Sequence, residues 1–297
     1  MAGSLQGKIA IVTGSGQSIG RAIALFLAAE GAAVITNSRT AVSGDGTPTA
    51  KDTAAEIQAA GGKSVAVYAD VGTMAGAKAL VDSAMGEFGG LDILINNAGF
   101  GPTVFLEDMS EDIWDSTLDT NLKAHFATAF YAVPHMKARG GGRILNVISR
   151  VGLGGAASMT AYAAAKAGAM GFTFALAKEL ESADITVNCL APTANTTRSQ
   201  RTAAERYAKI GRQIPPSPTR TPEHVAPVAG YLVGPHAGAI TGQIFYAAAG
   251  EITHYAAPTA TRSIYKDGKW TLAELAKVMP PAFGASLKPP VMPAPPV

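Results

Sequence analysis

The chain contains 297 residues, which is long enough for one large α/β domain or for two ordinary domains. Hydrophobic residues make up 47% of it and charged residues only 15%, a composition that allows a sizeable core and excludes global disorder. The formal net charge of +2 is too small to indicate nucleic acid or an anionic membrane as the main partner, so we predict neither.

Strand-like apolar runs alternate with helix-length segments along most of the chain. The runs predicted as strands are 8–13, 33–37, 64–69, 91–96, 143–149, 185–191 and 240–247. The segments predicted to contain helices are 21–30, 51–60, 73–88, 111–139 and 161–180. Continuous apolar strands that alternate with helices are typical of a parallel sheet covered on both faces. We therefore predict an α/β fold, with a doubly wound parallel sheet of about seven strands in a single domain.

Three segments fall outside this alternation. Residues 40–50 are rich in Gly, Ser, Thr and Pro and are predicted to be a loop inserted after the second strand. Residues 198–222 mix polar residues with several prolines and are predicted to form a mobile flap beside the substrate. Residues 258–297 are predicted to be a C-terminal extension. Its last stretch, 288–297, contains five prolines and is predicted to form neither helix nor interior strand. The predicted domain spans 1–257 and includes the flap.

The turn after the first strand is rich in small residues and leads into a helix. Glycines there let the backbone approach a pyrophosphate, which the free N–H groups and the dipole of a helix N-terminus attract. An ordinary strand-to-helix turn is the alternative for such a motif taken alone. The position between the first strand and the first helix favours a dinucleotide site of the Rossmann type. The predicted cofactor-binding residues of this turn are Gly14, Gly16, Gln17, Ser18, Ile19 and Gly20.

The end of the second strand reads Asn37-Ser38-Arg39 and contains no acidic residue. An acid here accepts from the ribose 2′-hydroxyl of NAD, whereas a small polar residue with an arginine accommodates the 2′-phosphate of NADP. The guanidinium of Arg39 offers a planar fork suited to phosphate, although a solvated arginine at a strand end is the plainer alternative. We predict NADP(H) as the preferred cofactor, bound in part by Ser38 and Arg39, with NAD(H) as the alternative.

Short motifs further along the chain follow this turn in a fixed order. They are Asp70-Val71, Asn96-Asn97-Ala98-Gly99, Asn121, Ser149, Tyr162 with Lys166, and Asn188 with Pro192. The ordered set resembles the short-chain dehydrogenases/reductases, and the resemblance covers roughly residues 7–257. Segments 191–197, 222–227, 241–243 and 266–270 are similar to bacterial 3-oxoacyl reductase-like members related to the dehydrogenase unit of peroxisomal multifunctional enzymes.

Two residues of the phosphate-binding turn depart from the family pattern. Ser18 stands where a second glycine is usual, and Gln17 stands where NADP-preferring members often carry a basic residue. Because serine is small, we expect the turn to accept Ser18 with at most a slight shift of the pyrophosphate. Gln17 leaves Arg39 as the main predicted contact of the 2′-phosphate.

The predicted catalytic residues are chosen for the chemistry of carbonyl reduction, which needs a proton donor at the substrate oxygen. Tyr162 and Lys166 are four residues apart in a predicted helix and share one face. The Lys166 ammonium is expected to favour the phenolate and so to lower the pKa of Tyr162. Ser149, which ends the fifth strand, can donate to the same oxygen. The resemblance implies that Lys166 also holds the nicotinamide ribose and that Asn121 supports a water leading to Lys166.

Each predicted catalytic residue has a plainer alternative when taken singly. Tyr162 and Lys166 could form a surface contact, Ser149 could merely end a strand, and Asn121 could be a polar residue in its helix.

Residues after three other strands complete the predicted cofactor site. Asn97, Ala98 and Gly99 are placed to flank the adenosine half. By resemblance Asp70 contacts adenine, with Val71 beside it, and a helix N-cap is the alternative role of Asp70. The predicted residues near the nicotinamide amide and its phosphate are Pro192, Thr193, Asn195 and Thr197.

The predicted function is an NADP(H)-dependent carbonyl reductase or alcohol dehydrogenase, with Tyr162 as general acid and base. Segments 100–106, 151–159 and 198–222 are expected to line the pocket. They are largely apolar or small, which favours a hydrophobic ketone or secondary alcohol. The alternatives are an NAD-dependent 3-hydroxyacyl or hydroxysteroid dehydrogenase, an epimerase or dehydratase of the extended branch, and a nucleotide sensor that has lost catalysis.

Other features bear on location, metals and assembly. No signal peptide or membrane-spanning run is visible, so a cytoplasmic protein is expected. The one cysteine, Cys189, lies in an apolar run and is predicted to be a core residue. The five histidines show no metal-ligand spacing, so no metal is predicted.

Small residues beside Tyr162 would let a second helix approach. The resemblance implies assembly through two long helices, so a homodimer or homotetramer is expected. Packing of these residues against the chain's own sheet is the alternative.

Overall fold

The computed structural model describes residues 3–44, 46–214 and 219–284. Apolar, largely β-branched runs form the strands β1 (Ile9–Val12), β2 (Ala33–Ser38), β3 (Ser64–Tyr68), β4 (Ile93–Asn96), β5 (Gly142–Val147), β6 (Ile185–Pro192), β7 (Ile244–Ala248) and β8 (Glu251–Tyr255). Between and after them lie the helices α1 (Ser18–Ala29), α2 (Ala50–Ala59), α3 (Met74–Phe88), α4 (Glu111–Leu118), α5 (Ala124–Ala138), α6 (Arg150–Gly154), α7 (Thr160–Glu179), α8 (Thr197–Lys209), α9 (Ala226–Leu232) and α10 (Leu272–Ala282).

The strands form one sheet in the order β3-β2-β1-β4-β5-β6-β7-β8. Neighbouring strands from β3 to β7 pair in parallel, and β8 pairs antiparallel with β7, with Ile244 opposite Tyr255. The chain runs outward from β1 to β3 and then crosses back to β4, so a topological switch point lies between β1 and β4. Ligands of open α/β sheets bind beyond the carboxyl ends of the strands at such a point. The predicted single-domain, doubly wound α/β fold is confirmed.

The sheet is covered on both faces. On one face, α1 and α9 bury Ile23, Leu27 and Leu232 against the strands. On the other face, α3 and α5 bury Leu80 and Met136. Close packing on both faces holds the strands rigidly, so the loops that follow them at the switch point start from fixed positions.

Cys189 lies on β6 and is fully buried. Burial raises the pKa of its thiol to about 12, which suppresses the reactive thiolate. The prediction that Cys189 is a core residue is therefore confirmed.

The helical segments differ from the predictions in several places. α6, α9 and α10 were not predicted as helices, and α10 lies within the predicted C-terminal extension. The helix predicted within 111–139 is α4 and α5 joined by a π-helical turn, Asp119–Lys123. Residues predicted to form only a flap include α8, whose N-terminus is closed by a capping box of Thr196 and Ser199. No helix among the described residues is both long enough and apolar enough to cross a bilayer.

Candidate active site

The carboxyl ends of the central strands open onto a cavity of about 810 Å³. It extends from the end of β2, across the switch point, to α8 beyond β6. The predicted site residues on its wall are Gly14, Gly16, Gln17, Ser18, Ile19, Gly20, Ser38, Arg39, Asp70, Val71, Asn97, Ala98, Gly99, Ser149, Tyr162, Lys166, Pro192 and Thr193. The predicted site residues that do not line it are Asn121, Asn195 and Thr197.

Side-chain hydrogen bonds hold the turn after β1 in one shape. The Thr13 hydroxyl accepts bonds of 2.9 Å from the backbone N–H groups of Asn97 and Ala98. The Asn97 side-chain amide donates in return to the carbonyls of Thr13 and Gly14, at 3.0 and 3.2 Å. From the other side, the Asn37 amide oxygen accepts from the Gly14 N–H at 3.2 Å. Asn97 therefore braces the turn with its side chain, a role that was not predicted for it.

Glycines keep the backbone of this turn open to a ligand. Gly14 has a φ of +61°, and a Cβ on Gly20 would lie 2.4 Å from the Gly14 carbonyl oxygen. No side chain caps the start of α1, so its first N–H groups are available to an anion. Ser18 adopts a φ of +55°, a left-handed conformation that costs a non-glycine residue about 1 kcal/mol. The turn thus accepts serine at a glycine position by straining its backbone.

The end of β2 and the inserted loop form one end of the cavity. Arg39 is exposed there and lies on the wall. The loop residues beside it on the wall are Thr40, Ser43, Gly44, Thr47, Pro48 and Thr49, and none of these is acidic. The loop was predicted as an insertion but not as part of the site. Its composition gave no signal for this role, because Gly, Ser, Thr and Pro are equally typical of loops far from any site.

The carboxylate of Asp70 accepts from the backbone N–H of Gly72 at 2.9 Å. The cap of α3 is Thr73, whose hydroxyl accepts from the Gly76 N–H at 3.0 Å. The alternative reading of Asp70 as the N-cap is therefore wrong. Thr73 caps the helix in place of Asp70 because Thr73 directly precedes the first helical residue. From that position a side-chain oxygen reaches the backbone N–H three residues further on.

Tyr162 and Lys166 lie one turn apart on α7, and both line the cavity. Lys166 Nζ lies 5.8 Å from the centre of the Tyr162 ring and donates to the Val147 carbonyl oxygen at 2.8 Å. The Lys166 side chain is buried, and this burial lowers the pKa of its ammonium group to about 7, although Cys189 partly opposes the shift. A lysine that titrates near neutral pH can exchange a proton under physiological conditions.

Asn121 lies in the π-helical turn, behind Gly99. Its side-chain N–H groups donate to the carbonyls of Phe100 and Thr117, at 2.8 and 2.9 Å. Its buried side-chain oxygen has no hydrogen-bond partner among the described residues. A Cβ on Gly99 would lie 2.5 Å from that oxygen and 3.4 Å from Lys166 Nζ, so both atoms flank this glycine. A polar, unsatisfied position of this kind suits a bound water.

Ser149 follows β5 on the cavity wall and caps α6. Its hydroxyl oxygen accepts from the Val151 N–H at 3.2 Å. Because that bond uses only a lone pair, the hydroxyl proton stays available for donation. The main-chain hydrogen bond fixes the position of the oxygen at the end of β5.

A model of one protein family, described as short chain dehydrogenase, matches residues 8–208. The chain is a short-chain dehydrogenase/reductase. It is 36% identical over 248 residues to BbsD of Thauera aromatica, a subunit of a substituted succinyl-CoA dehydrogenase, covering 83% of this chain and 97% of BbsD. It is also 36% identical over 244 residues to the 3-oxoacyl-acyl-carrier-protein reductase FabG of Vibrio cholerae, covering 82% of this chain and 96% of FabG.

A crystal structure of a short chain dehydrogenase from Mycobacterium avium has the same fold, with a TM-score of 0.83 and 34% sequence identity. The match covers 97% of this chain and 98% of that one. The predicted resemblance to this family, including its 3-oxoacyl reductase-like members, is confirmed.

The cavity wall includes residues of α8, as expected from the prediction that segment 198–222 lines the pocket, although the sequence analysis singled out none of them individually. Thr196, Ser199, Thr202, Ala203 and Arg206 line the cavity. The capping box at Thr196 is a helix signal that was available in the sequence. The predicted residues Asn195 and Thr197 flank Thr196 but are exposed and lie off the wall.

Proposed function

We propose that this oxidoreductase is an NADP(H)-dependent carbonyl reductase or alcohol dehydrogenase, with Tyr162 as its general acid and base. The observation that carries the proposal is the pairing of Tyr162 with the buried Lys166 on the wall of a cavity at the switch point. A cation beside the phenol would favour the phenolate, which is what proton transfer from tyrosine requires. Ser149, on the same wall, would donate a second hydrogen bond to the substrate oxygen.

The residues of the cavity fit a dinucleotide. The open glycine turn and the uncapped start of α1 suit a pyrophosphate, and Asp70 and Val71 line the end expected to hold adenine. Arg39, with no acidic neighbour on the described wall of the 40–49 loop, suits a 2′-phosphate. When bound, the nicotinamide supplies or accepts the hydride.

The proton path is proposed from the buried groups behind Tyr162. Tyr162 gives its proton to the substrate oxygen during reduction, and Lys166 stabilises the phenolate left behind. The unpartnered oxygen of Asn121, beside the same glycine as Lys166 Nζ, would hold a water through which the proton is replaced. In the oxidative direction each proton moves the opposite way.

The favoured substrate is a ketone or secondary alcohol with a mainly hydrophobic body, because small and apolar residues such as Phe100, Val151 and Met159 line the cavity. A second candidate is a 3-oxoacyl or 3-hydroxyacyl thioester. This candidate is favoured by the names of two relatives, which act on a substituted succinyl-CoA and on a 3-oxoacyl carrier protein.

The test is an initial-rate assay of NADPH and NADH oxidation with cyclic, aromatic and 3-oxoacyl ketones, beside a Tyr162→Phe variant. We expect turnover, a preference for NADPH, and loss of turnover in the variant with cofactor binding retained. An Arg39→Gln variant should lose the NADPH preference by raising the KM for NADPH alone. Cofactor binding by the wild type without turnover of any ketone or alcohol would favour the nucleotide sensor instead.

A further inference from the structure

Arg206 is a cationic residue on the cavity wall that the proposed chemistry does not use. It lies on the face of α8 that lines the cavity, with Ser199, Thr202 and Ala203. Its Nε is buried and has no hydrogen-bond partner among the described residues. The guanidinium carbon lies 4.9 Å from the centre of the Tyr207 ring, so a cation–π contact holds the group in place while its Nε–H has no acceptor among the described residues.

The position of Arg206 along α8 separates it from the cofactor end of the cavity. Ser199 is in the first turn of α8, next to the end of β6, where the nicotinamide half is expected. Arg206 follows seven residues later, which is about 10 Å further along the helix axis. Near that end of α8, Lys209 donates to the carbonyl of Thr103 in the segment after β4. This bond ties the Arg206 end of α8 to the segment whose Phe100 and Gly101 line the cavity, where we expect the substrate.

The charges on the wall are distributed unevenly. Arg150, Lys166 and Arg206 lie on the half formed by β5, β6 and the helices that follow them. Asp70 is the carboxylate on the described wall, and it follows β3, five strands from β6. At about 4.8 Å per strand, the ends of β3 and β6 lie roughly 24 Å apart, so Asp70 is too distant to neutralise Arg206.

An arginine donor kept from water without an acceptor is unfavourable unless a ligand supplies one. We propose that Arg206 binds an anionic oxygen group of the substrate, either a carboxylate or a phosphate, while the apolar wall holds the rest of the molecule. This inference rests on the proposed reductase function and narrows its substrate class. A guanidinium suits either anion because its planar fork can donate two parallel hydrogen bonds.

The experiment compares wild type, Arg206→Gln and Arg206→Lys on matched ketones with NADPH. One arm uses aromatic and aliphatic keto acids of graded chain length beside their methyl esters. A second arm uses a 3-oxoacyl-CoA beside its N-acetylcysteamine thioester, which lacks the phosphates of CoA. Arg201→Gln is the matched control, because Arg201 is 80% exposed on the same helix and pairs with Glu205. It removes the same charge away from the cavity.

We expect Arg206→Gln to raise the KM for the preferred anionic ketone about ten- to a hundred-fold and to change the neutral analogue less than threefold. Arg206→Lys should recover only part of this loss, since an ammonium lacks the fork. Selective loss in the keto-acid arm identifies a carboxylate, and selective loss in the CoA arm identifies a phosphate. Equal effects on charged and neutral ketones, or no effect on either, would overturn the anion site while leaving the reductase function standing.

A binding measurement separates this inference from the reductase proposal. The saturated carboxylic acids that correspond to the keto acids, and CoA itself, are titrated calorimetrically into the NADPH-saturated wild type and Arg206→Gln. Tighter binding of one of these anions to the wild type, by about tenfold or more, supports the anion site even if no ketone turns over. Equal binding to both proteins overturns it.

Discussion

Lys166 shows how burial sets the protonation of a single residue. Desolvation lowers the pKa of its ammonium to about 7, whereas the same group in the unfolded chain titrates near 10.5. Between these two values the unfolded state binds more protons than the folded state, so this group makes stability rise with pH. Below pH 7 both states are protonated, and the full penalty of burying the charge is present.

We therefore predict that Lys166→Met is most stabilising, relative to wild type, at low pH. The gain at pH 6.5 should exceed that at pH 10 by a few kcal/mol, at about 1.4 kcal/mol per unit of pKa difference. Loss of the hydrogen bond to the Val147 carbonyl offsets part of the gain at every pH and does not alter the trend. Urea unfolding of the cofactor-free proteins across this range measures it.

Lys178→Met is the matched control, since Lys178 is exposed on the same helix. Its stability should follow the wild-type pH profile. If Lys166→Met also ran parallel to wild type from pH 6.5 to 10, the depressed pKa of Lys166 would be refuted.

At the scale of elements, the sequence predicted what periodicity and composition can encode. β1 to β7 and the helices α1, α2, α3, α5 and α7 were predicted because each buries an apolar face in a regular pattern. α9 also packs on the sheet but was not predicted. α8 escaped prediction because its sequence is mostly polar and charged, and none of its described side chains is fully buried. The π-helical turn escaped because one extra residue in a helix leaves little trace in the pattern. β8 is short, half exposed and follows a tight turn at Ala249.

The site was predictable to the extent that backbone geometry demands particular residues. Gly14 and Gly20 are required by the turn, and the four-residue spacing of Tyr162 and Lys166 places both on one face of α7. Arg206 could not be singled out, because an arginine in a polar segment resembles any solvated arginine until the fold places it on a cavity wall. The roles proposed for these residues stay predictions until they are tested.

The stability of α8 over the cavity depends on few contacts. The bond from Lys209 to the Thr103 carbonyl links its C-terminal turn to the segment after β4. We predict that Lys209→Met speeds chymotryptic cleavage at Tyr207 several-fold while shifting the melting temperature of the whole protein by less than about 2 °C. Cleavage of a locally opened segment follows the free energy of local opening, whereas melting follows the core.

Arg201→Met serves as the control for a lost charge on α8, since its side chain points to solvent. It should be cleaved at the wild-type rate. Equal cleavage of Lys209→Met and wild type would show that this bond does not hold the helix down.

For the whole molecule, the structure changes the argument for assembly. Ala161, Ala165 and Ala169 on α7 are almost fully buried within the chain, which favours packing on the chain's own sheet for that part of the predicted small-residue face. Exposed apolar surface lies instead on α5. Phe126 and Phe130 there are 45% and 55% exposed, with ring centres 5.8 Å apart. Adjacent exposed aromatic rings are typical of a protein–protein interface.

We predict that the chain forms a homodimer or homotetramer with α5 in one interface. The double variant Phe126→Glu/Phe130→Glu should reduce the particle mass at least twofold. Two like charges on each copy would face each other across a two-fold interface and would lose the apolar burial. Size-exclusion chromatography with light scattering measures the mass, and circular dichroism checks the fold. Ile252→Glu is the comparison, because Ile252 is 63% exposed on the edge strand β8, away from α5. If Ile252→Glu dissociated the oligomer and the α5 double variant did not, the interface would lie at the sheet edge and not on α5.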